Sequence, residues 1–300
     1  MRGSEGDGTQ VKRLLALACL LASCLAGAQI PDIQLHLDVT GSFRVENYKP
    51  SLFQFYDVMG RPSIVAISFY TQQGFRAYAA EKLQPLPGDF VSDPFDEYYF
   101  EDEGIWRVGK QYLPFGSGRI LHESALAARG DTNLILENIP ISFALCDGGG
   151  GFDSGVIGRV GSMIGASFAV GRHFGVAATS LDDIRRPEDA PGEGRGWRQA
   201  FGLDAARRVS HWTFRAEAVS FQRGETALDE TTNVMELSAT LDPKRGESTT
   251  FAWTREMPNR QDFYRIGGAF AVIKRVTFEP MIRFRDGSLY DLVAQIRVRF

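Results

Sequence analysis

Four histidines, three cysteines and a scatter of carboxylates are the side chains of this 300-residue sequence with catalytic or metal-binding potential. His36, His122, His173 and His211 form no His-x-x-x-His pair, and no Cys-x-x-Cys or Gly-x-Ser-x-Gly occurs. Zinc sites and serine nucleophile elbows therefore lack their spacing. The run Cys146 to Asp153 is rich in glycine but lacks the Lys-Ser/Thr ending of a phosphate loop, so it reads as a turn. Arg129-Gly130-Asp131 carries no context beyond its three letters. Asp96 to Glu103 holds five carboxylates, enough to bridge a divalent cation, although a solvated hairpin tip explains them more simply. The sequence thus supports no enzyme, cofactor or metal centre. A hydrolase would need a Ser/His or Asp/His site, which these four histidines do not offer.

A different chemistry is carried by charges at alternate positions. Arg215 and Glu217, then Arg265, Glu279, Arg283, Arg285, Arg297 and Arg299, fall on the polar faces of consecutive alternating segments. If those faces line water, arginines opposed to carboxylates set a transverse field that tunes which solutes pass. If they face one another, they are ion pairs that solvate or plug an interior.

The elements that would hold these side chains are strands. In residues 33–46, Ile33, Leu35, Leu37, Val39, Phe43 and Val45 share one face, and Gln34, His36, Asp38, Thr40, Ser42, Arg44 and Glu46 the other. Period two sustained this long excludes a helix. The C-terminal third repeats the pattern. Phe251 and Trp253, Ile266 and Phe270, Phe278 and Ile282 fall on apolar faces, with turns at Asp242–Gly246, Lys274-Arg275 and Asp286-Gly287. Pro280 sits on an apolar face and predicts a bulge or irregular edge. Tyr290, Leu292, Ala294, Ile296, Val298 and Phe300 form the apolar face of the last strand. Between these ends, strands are expected near 63–80, 97–102, 105–113, 134–145, 155–163, 165–178, 197–207 and 211–222, with loops at 148–154 and 182–196. The total is about 14 strands, with 12–16 compatible.

Composition narrows the class. Lys and Arg total 33 against 37 Asp and Glu, giving net −4 and a pI near 5.7, which excludes nucleic-acid binding by bulk charge. A mean hydropathy of −0.16 excludes a polytopic helical membrane protein, and 44% apolar content excludes a disordered chain. Lys12 and Arg13 precede the uncharged Leu14 to Ala28, which ends in Ala26-Gly27-Ala28, the layout of a secretory signal peptide at 1–28. Residues 1–10 precede it awkwardly, as an over-extended start with Val11 beginning the chain would. Leu21-Ala22-Ser23-Cys24 also fits a lipobox, so lipidation at Cys24 competes with cleavage at Ala28. Cleavage leaves Cys146 as the one cysteine, so no disulfide framework forms.

Soluble sandwiches alternate too, but strands of about 10–12 residues match a tilted bilayer crossing, and short turns alternate with longer polar loops. The expectation is a single all-β domain, 29–300: an antiparallel up-and-down transmembrane β-barrel. The last strand, Tyr290, Leu292, Ile296, Val298 and Phe300, resembles the C-terminal assembly signal of Gram-negative outer-membrane β-barrels, read by the barrel-assembly machinery. Arg107 to Gly116, RVGKQYLPFG, resembles the GK-x-x-x-PFG element of phosphate-selective-type porins, which closes a strand and starts a loop that folds inward. The chain is shorter than those porins and has no lysine-rich loop. The resemblance implies an outer-membrane porin-like channel passing small hydrophilic solutes. Its surroundings would be outer-membrane lipid, with homo-oligomerisation left open. A non-conducting structural barrel, its lumen filled by Arg–Glu pairs and the loop after Gly116, is the alternative.

Overall fold

A computed structural model describes residues 32–46, 49–55, 61–71, 73–84, 94–121, 124–134, 139–147, 154–174, 197–223, 231–244, 246–257 and 260–300. The segment 1–28 and the loops 148–153 and 182–196 lie outside the described residues.

Alternation does what it predicts. Among the described residues, seventeen strands form one antiparallel sheet: β1 (Asp32–Glu46), β2 (Lys49–Gln54), β3 (Ile64–Tyr70), β4 (Phe75–Lys82), β5 (Phe95–Asp102), β6 (Trp106–Tyr112), β7 (Ser124–Leu134), β8 (Ile139–Asp147), β9 (Ser154–Gly161), β10 (Ile164–Phe174), β11 (Trp197–Val209), β12 (Trp212–Arg223), β13 (Thr231–Lys244), β14 (Glu247–Met257), β15 (Gln261–Ile273), β16 (Val276–Arg285) and β17 (Ser288–Arg299). β2 pairs with the second half of β1, through Ser42 to Glu46, and β3 with the first half, through Asp32 to Asp38. The two short strands therefore occupy one position, and the ring has 16. β1 and β17 close it, in register from Asp38↔Arg299 to Glu46↔Asp291. Leu37 and Phe300 exchange two further backbone bonds of 3.1 and 2.9 Å. Closure leaves no edge of unpaired amides, as an apolar surrounding demands.

The expected strand number was about 14, and two elements account for the difference. The stretch 63–80 is a hairpin, broken at Gly74, whose φ of +90° glycine tolerates best. β7, SALAARGDTNL, has little bulky apolar content and is not among the expected strands. Pro280 causes no bulge: it pairs in register with Ala294, although no pairing with β15 forms opposite it. Asp286 and Gly287, at φ +49° and +81°, make the tight hairpin their types predict.

The two faces differ sharply. Outward stand Leu35, Phe251, Ile266, Phe270, Phe278 and Ile282, each about two-fifths exposed or more. Inward stand Glu217, Glu236, Arg265, Arg283, Asp291 and Gln295, all buried. One part of the inner wall is apolar instead. Ala127, Ala144, Cys146, Ile157, Ala169, Ala200, Val219 and Val234, from β7 to β13, form a cluster with Phe115, Ile120 and Leu121. Those last three belong to the β6–β7 connection, which folds inside the barrel.

Candidate functional site

The inward segment starts from the motif that resembles a porin element, and Gly109, Lys110, Phe115 and Gly116 of that motif each have a physical role. Gly109 has φ +131°, and a Cβ there would lie 2.3 Å from the Tyr98 carbonyl oxygen, so the strand needs glycine. Lys110 is buried and donates through Nζ to the Phe95 carbonyl. Phe115 is buried against Gly202 and Val219, where a Cβ on Gly202 would meet the ring at 2.8 Å. Gly116, φ +53°, lies so near Glu217 that a Cβ would strike its carboxylate.

Polar anchors then fix the segment to the wall. The Gly116 amide donates to Ser167 Oγ at 2.9 Å. Ser117 donates to Glu217 through its amide at 3.1 Å and its hydroxyl at 2.5 Å. Arg119, the single charged residue of 113–121, donates through Nε to Glu236 at 2.5 Å. Glu236 also faces Arg265 at 3.9 Å and accepts from Thr254 at 3.4 Å. Buried carboxylates are tolerable only with such partners.

The charged wall beyond is a row across β13, β15, β16, β17 and β1. Arg265 and Arg283 are direct cross-strand neighbours, a like-charge pairing that costs energy unless carboxylates flank it. Glu236 serves one side and Asp291 the other. Asp291 takes Arg283 bidentately, at 2.8 and 2.5 Å, and Arg44 Nε at 2.6 Å. A shift between Arg283 and Phe284 leaves Tyr290 without a register partner. It therefore leaves the outer face expected for it and accepts a 2.8 Å bond from Arg44 through its hydroxyl, with Arg283 over its ring. Nearer the chain ends, Asp38 takes Arg297 at 2.6 and 2.5 Å and Arg299 at 3.3 Å.

The remaining expected residues lie on the same inner face but apart. Arg215, opposite Ser238, is half-buried. Glu279 accepts from Thr277 at 2.9 Å, and Arg285 lies over the Phe263 ring at 5.7 Å. Leu292 and Ile296 stay outward as expected.

The acidic run 96–103 is not a solvated tip, because most of it is strand β5, and its buried carboxylates are taken up by hydroxyl, amide and guanidinium partners. Asp96 and Glu101 are buried. Tyr112 donates its hydroxyl to Asp96 at 2.7 Å and its amide to Glu97 at 3.1 Å. Glu101 takes Arg76 at 3.1 Å and Arg107 at 2.6 Å. Arg107 stacks 4.0 Å from the Tyr99 ring, Tyr99 stacks on Tyr78, and Arg76 covers Tyr78 at 4.9 Å. This aromatic–guanidinium stack escaped sequence reading, although Arg76 and Tyr78 at i, i+2 necessarily share a face. No metal-holding group of three or more His, Cys, Asp or Glu occurs among the described residues.

The fold also makes a Ser–His contact that spacing could not reveal, His36 Nε2 to Ser68 Oγ at 3.2 Å. Ser68 is fully buried and its hydroxyl also faces Arg76 at 3.4 Å, so a substrate cannot reach it. His122 lies outside the described residues.

No protein-family model and no curated protein matches the chain. Solved structures do. A loop-deletion mutant of OmpT, an outer membrane protein of Vibrio cholerae, superposes with TM-score 0.62 at 8% identity, over 91% of this chain and all of that one. The outer membrane channel DcaP of Acinetobacter baumannii gives 0.59 at 10% identity, over 90% and 98%. An anion-selective porin from Comamonas acidovorans gives 0.57 at 12% identity, over 90% and 100%. With its ring of 16 strand positions and a connection folded inside, this chain has the barrel fold of the porins.

Proposed function

We infer that this protein is an outer-membrane channel for passive diffusion of small hydrophilic solutes, exported by the signal peptide at 1–28 and assembled from its C-terminal strand. The observation that carries the reading is the inward segment 113–121. Its apolar side chains cover the apolar part of the inner wall, from β7 to β13. The inner surface left over is the charged and hydroxylated wall of β14–β17, β1 and β3–β6, together with the Arg129–Asp131 pair on β7 and the Arg159–Asp204 pair between β9 and β11. A water-filled passage along that wall offers solutes fixed charges of both signs, from Arg44, Arg76, Arg107, Arg283 and Arg297 to Asp38, Glu101 and Asp291. The fold shared with channels and porins supports the same reading, as does the apolar outer belt, which suits the lipid of a Gram-negative outer membrane. Nothing in this mechanism makes or breaks a covalent bond.

Planar-bilayer recording of the refolded protein tests it, with stepwise conductance expected. A non-conducting barrel is the second reading, favoured by the near-complete burial of Arg265, Arg283 and Asp291, whose pairing fills space inside the wall. Absence of any conductance from folded, inserted protein would select it.

A further inference from the structure

At one place the outer face of β10–β13 departs from its bulky belt. Ala205 of β11 stands directly opposite Ala216 of β12. Ile164 flanks this pair on β10 and Leu237 on β13, at 72% and 44% exposure. Small floor and tall walls make a furrow of 600 Å³, and a second concavity of 490 Å³ lies beside it along the same strands.

Arg207 lines the lower end of the furrow, opposite Phe214 and two residues before β11 ends at Val209. Trp212 stacks on Phe214 at 6.0 Å between ring centres, so the arginine sits in an aromatic collar where the apolar belt meets the polar boundary. Its guanidinium makes no hydrogen bond or ion pair among the described residues. Arg255, also on the outer face, is by contrast paired with Asp262 at 2.6 Å.

An outward cation at the margin of hydrocarbon calls for an anion at the polar boundary. A furrow in a hydrocarbon-facing wall does not stay empty either, because its lining would forfeit dispersion contacts. Two copies of this chain meeting furrow to furrow about a two-fold axis would bring like-charged Arg207 side chains together, which disfavours that occupant. One molecule satisfies both demands: a phosphate joined to an acyl chain. We propose that the outer face of β10–β13 holds one glycerophospholipid, its phosphate on Arg207 and an acyl chain along the furrow floored by Ala205 and Ala216. The proposal rests on the membrane placement argued above.

The test titrates phosphatidylglycerol into micelles of the refolded chain and counts retained lipid by native mass spectrometry. One tightly retained molecule is expected. Arg207→Gln should weaken retention about tenfold, the loss of one charge-assisted contact. Ala216→Leu, which fills the furrow, should weaken it comparably. Ala128→Leu, on the outer face of β7, should leave it unchanged, and diacylglycerol with the same chains should not be retained. Heat-modifiable migration confirms that each variant is folded. Equal retention by Arg207→Gln and the parent, or of diacylglycerol and phosphatidylglycerol, would overturn the site. So would loss of an oligomer in Ala216→Leu with lipid retention intact, which would make the furrow an interface between copies. Failure of the folded barrel to insert into phosphatidylcholine vesicles would instead overturn the membrane placement, and the lipid site with it.

Discussion

Whether the inward segment is fixed or lifts from the wall can be read at Cys146. This thiol is buried in the same cluster as Phe115, Ile120 and Leu121, on the inner face of β8. A water-soluble maleimide reaches it only when the segment lifts, so the alkylation rate reports the opening equilibrium. Truncating a buried Phe costs about 3–5 kcal/mol. Each hydrogen bond to a charged group contributes about 1.5–3 kcal/mol. Phe115, the two Ser117–Glu217 bonds and the Arg119–Glu236 pair together hold the segment by roughly 7–14 kcal/mol, which keeps the lifted form far below one part in a thousand.

Phe115→Ala should therefore raise the Cys146 alkylation rate by about two to three and a half decades, since each 1.4 kcal/mol is a factor of ten. Adding Arg119→Met should raise it roughly another tenfold or more, with Glu236 still faced by Arg265. The barrel itself should survive, because no ladder hydrogen bond is touched, and heat-modifiable migration on gels checks this. In bilayers the double variant should show larger and noisier conductance than the parent. Fast labelling of Cys146 in the unmodified protein would refute the reasoning, because the segment would then not cover the wall. Labelling that is slow and unchanged by both substitutions would refute it equally, by showing that other contacts hold the segment.

Ile266 lies mid-strand on the outer face, with Ile282 beside it and Leu292 one strand further; Ile266→Arg should cost about 2–4 kcal/mol in urea unfolding from vesicles. Phe270→Arg, three residues from the end of β15, should cost about 0–1 kcal/mol, and equal costs would contradict the depth assigned to the two rows. Deleting Phe300 removes both backbone bonds to Leu37 and the ring beneath Arg275, so the protein should remain protease-sensitive; normal heat-modifiable barrel in the membrane would count against a role of this residue in closure. Arg283→Met leaves Asp291 with Arg44 alone and makes the wall more negative, so the reversal potential should move toward cations, and the shift should shrink at 1 M salt, where screening reaches about 3 Å. Selectivity blind to that substitution would make the row scaffolding.

The fold was legible wherever one face meets lipid and the other does not, because that contrast writes period two into the chain. β13 to β17 and β1 alternate over ten or more residues and were read nearly to their ends. β7 was not legible, and the reason lies inside the barrel. Its inner residue Ala127 packs beneath the inward segment, where a polar residue would be unpartnered and a large one would not fit. Small apolar residues on both faces erase the alternation. The β3–β4 hairpin failed differently, because Thr71 to Gly74 turns without Pro, Asn or Asp, leaving one glycine as the signal.

The charged residues were legible as a face and illegible as pairs. Alternation places Arg283 and Asp291 on inner surfaces, but their bidentate contact depends on the register of β16 against β17, which includes a one-residue shift. That shift also turns Tyr290 away from lipid, although period two assigns it there. Likewise, nothing in Glu236 or Glu217 shows that a segment about a hundred residues earlier arrives to bind them. Beyond the resemblance of RVGKQYLPFG, the glycines near that segment carry the hint. Gly116 and Gly202 each lack the Cβ that would collide with the partner brought by the fold, Glu217 and Phe115 respectively. A lumen is written into a sequence twice, as charges that need water or each other and as side chains left off where a loop must lie.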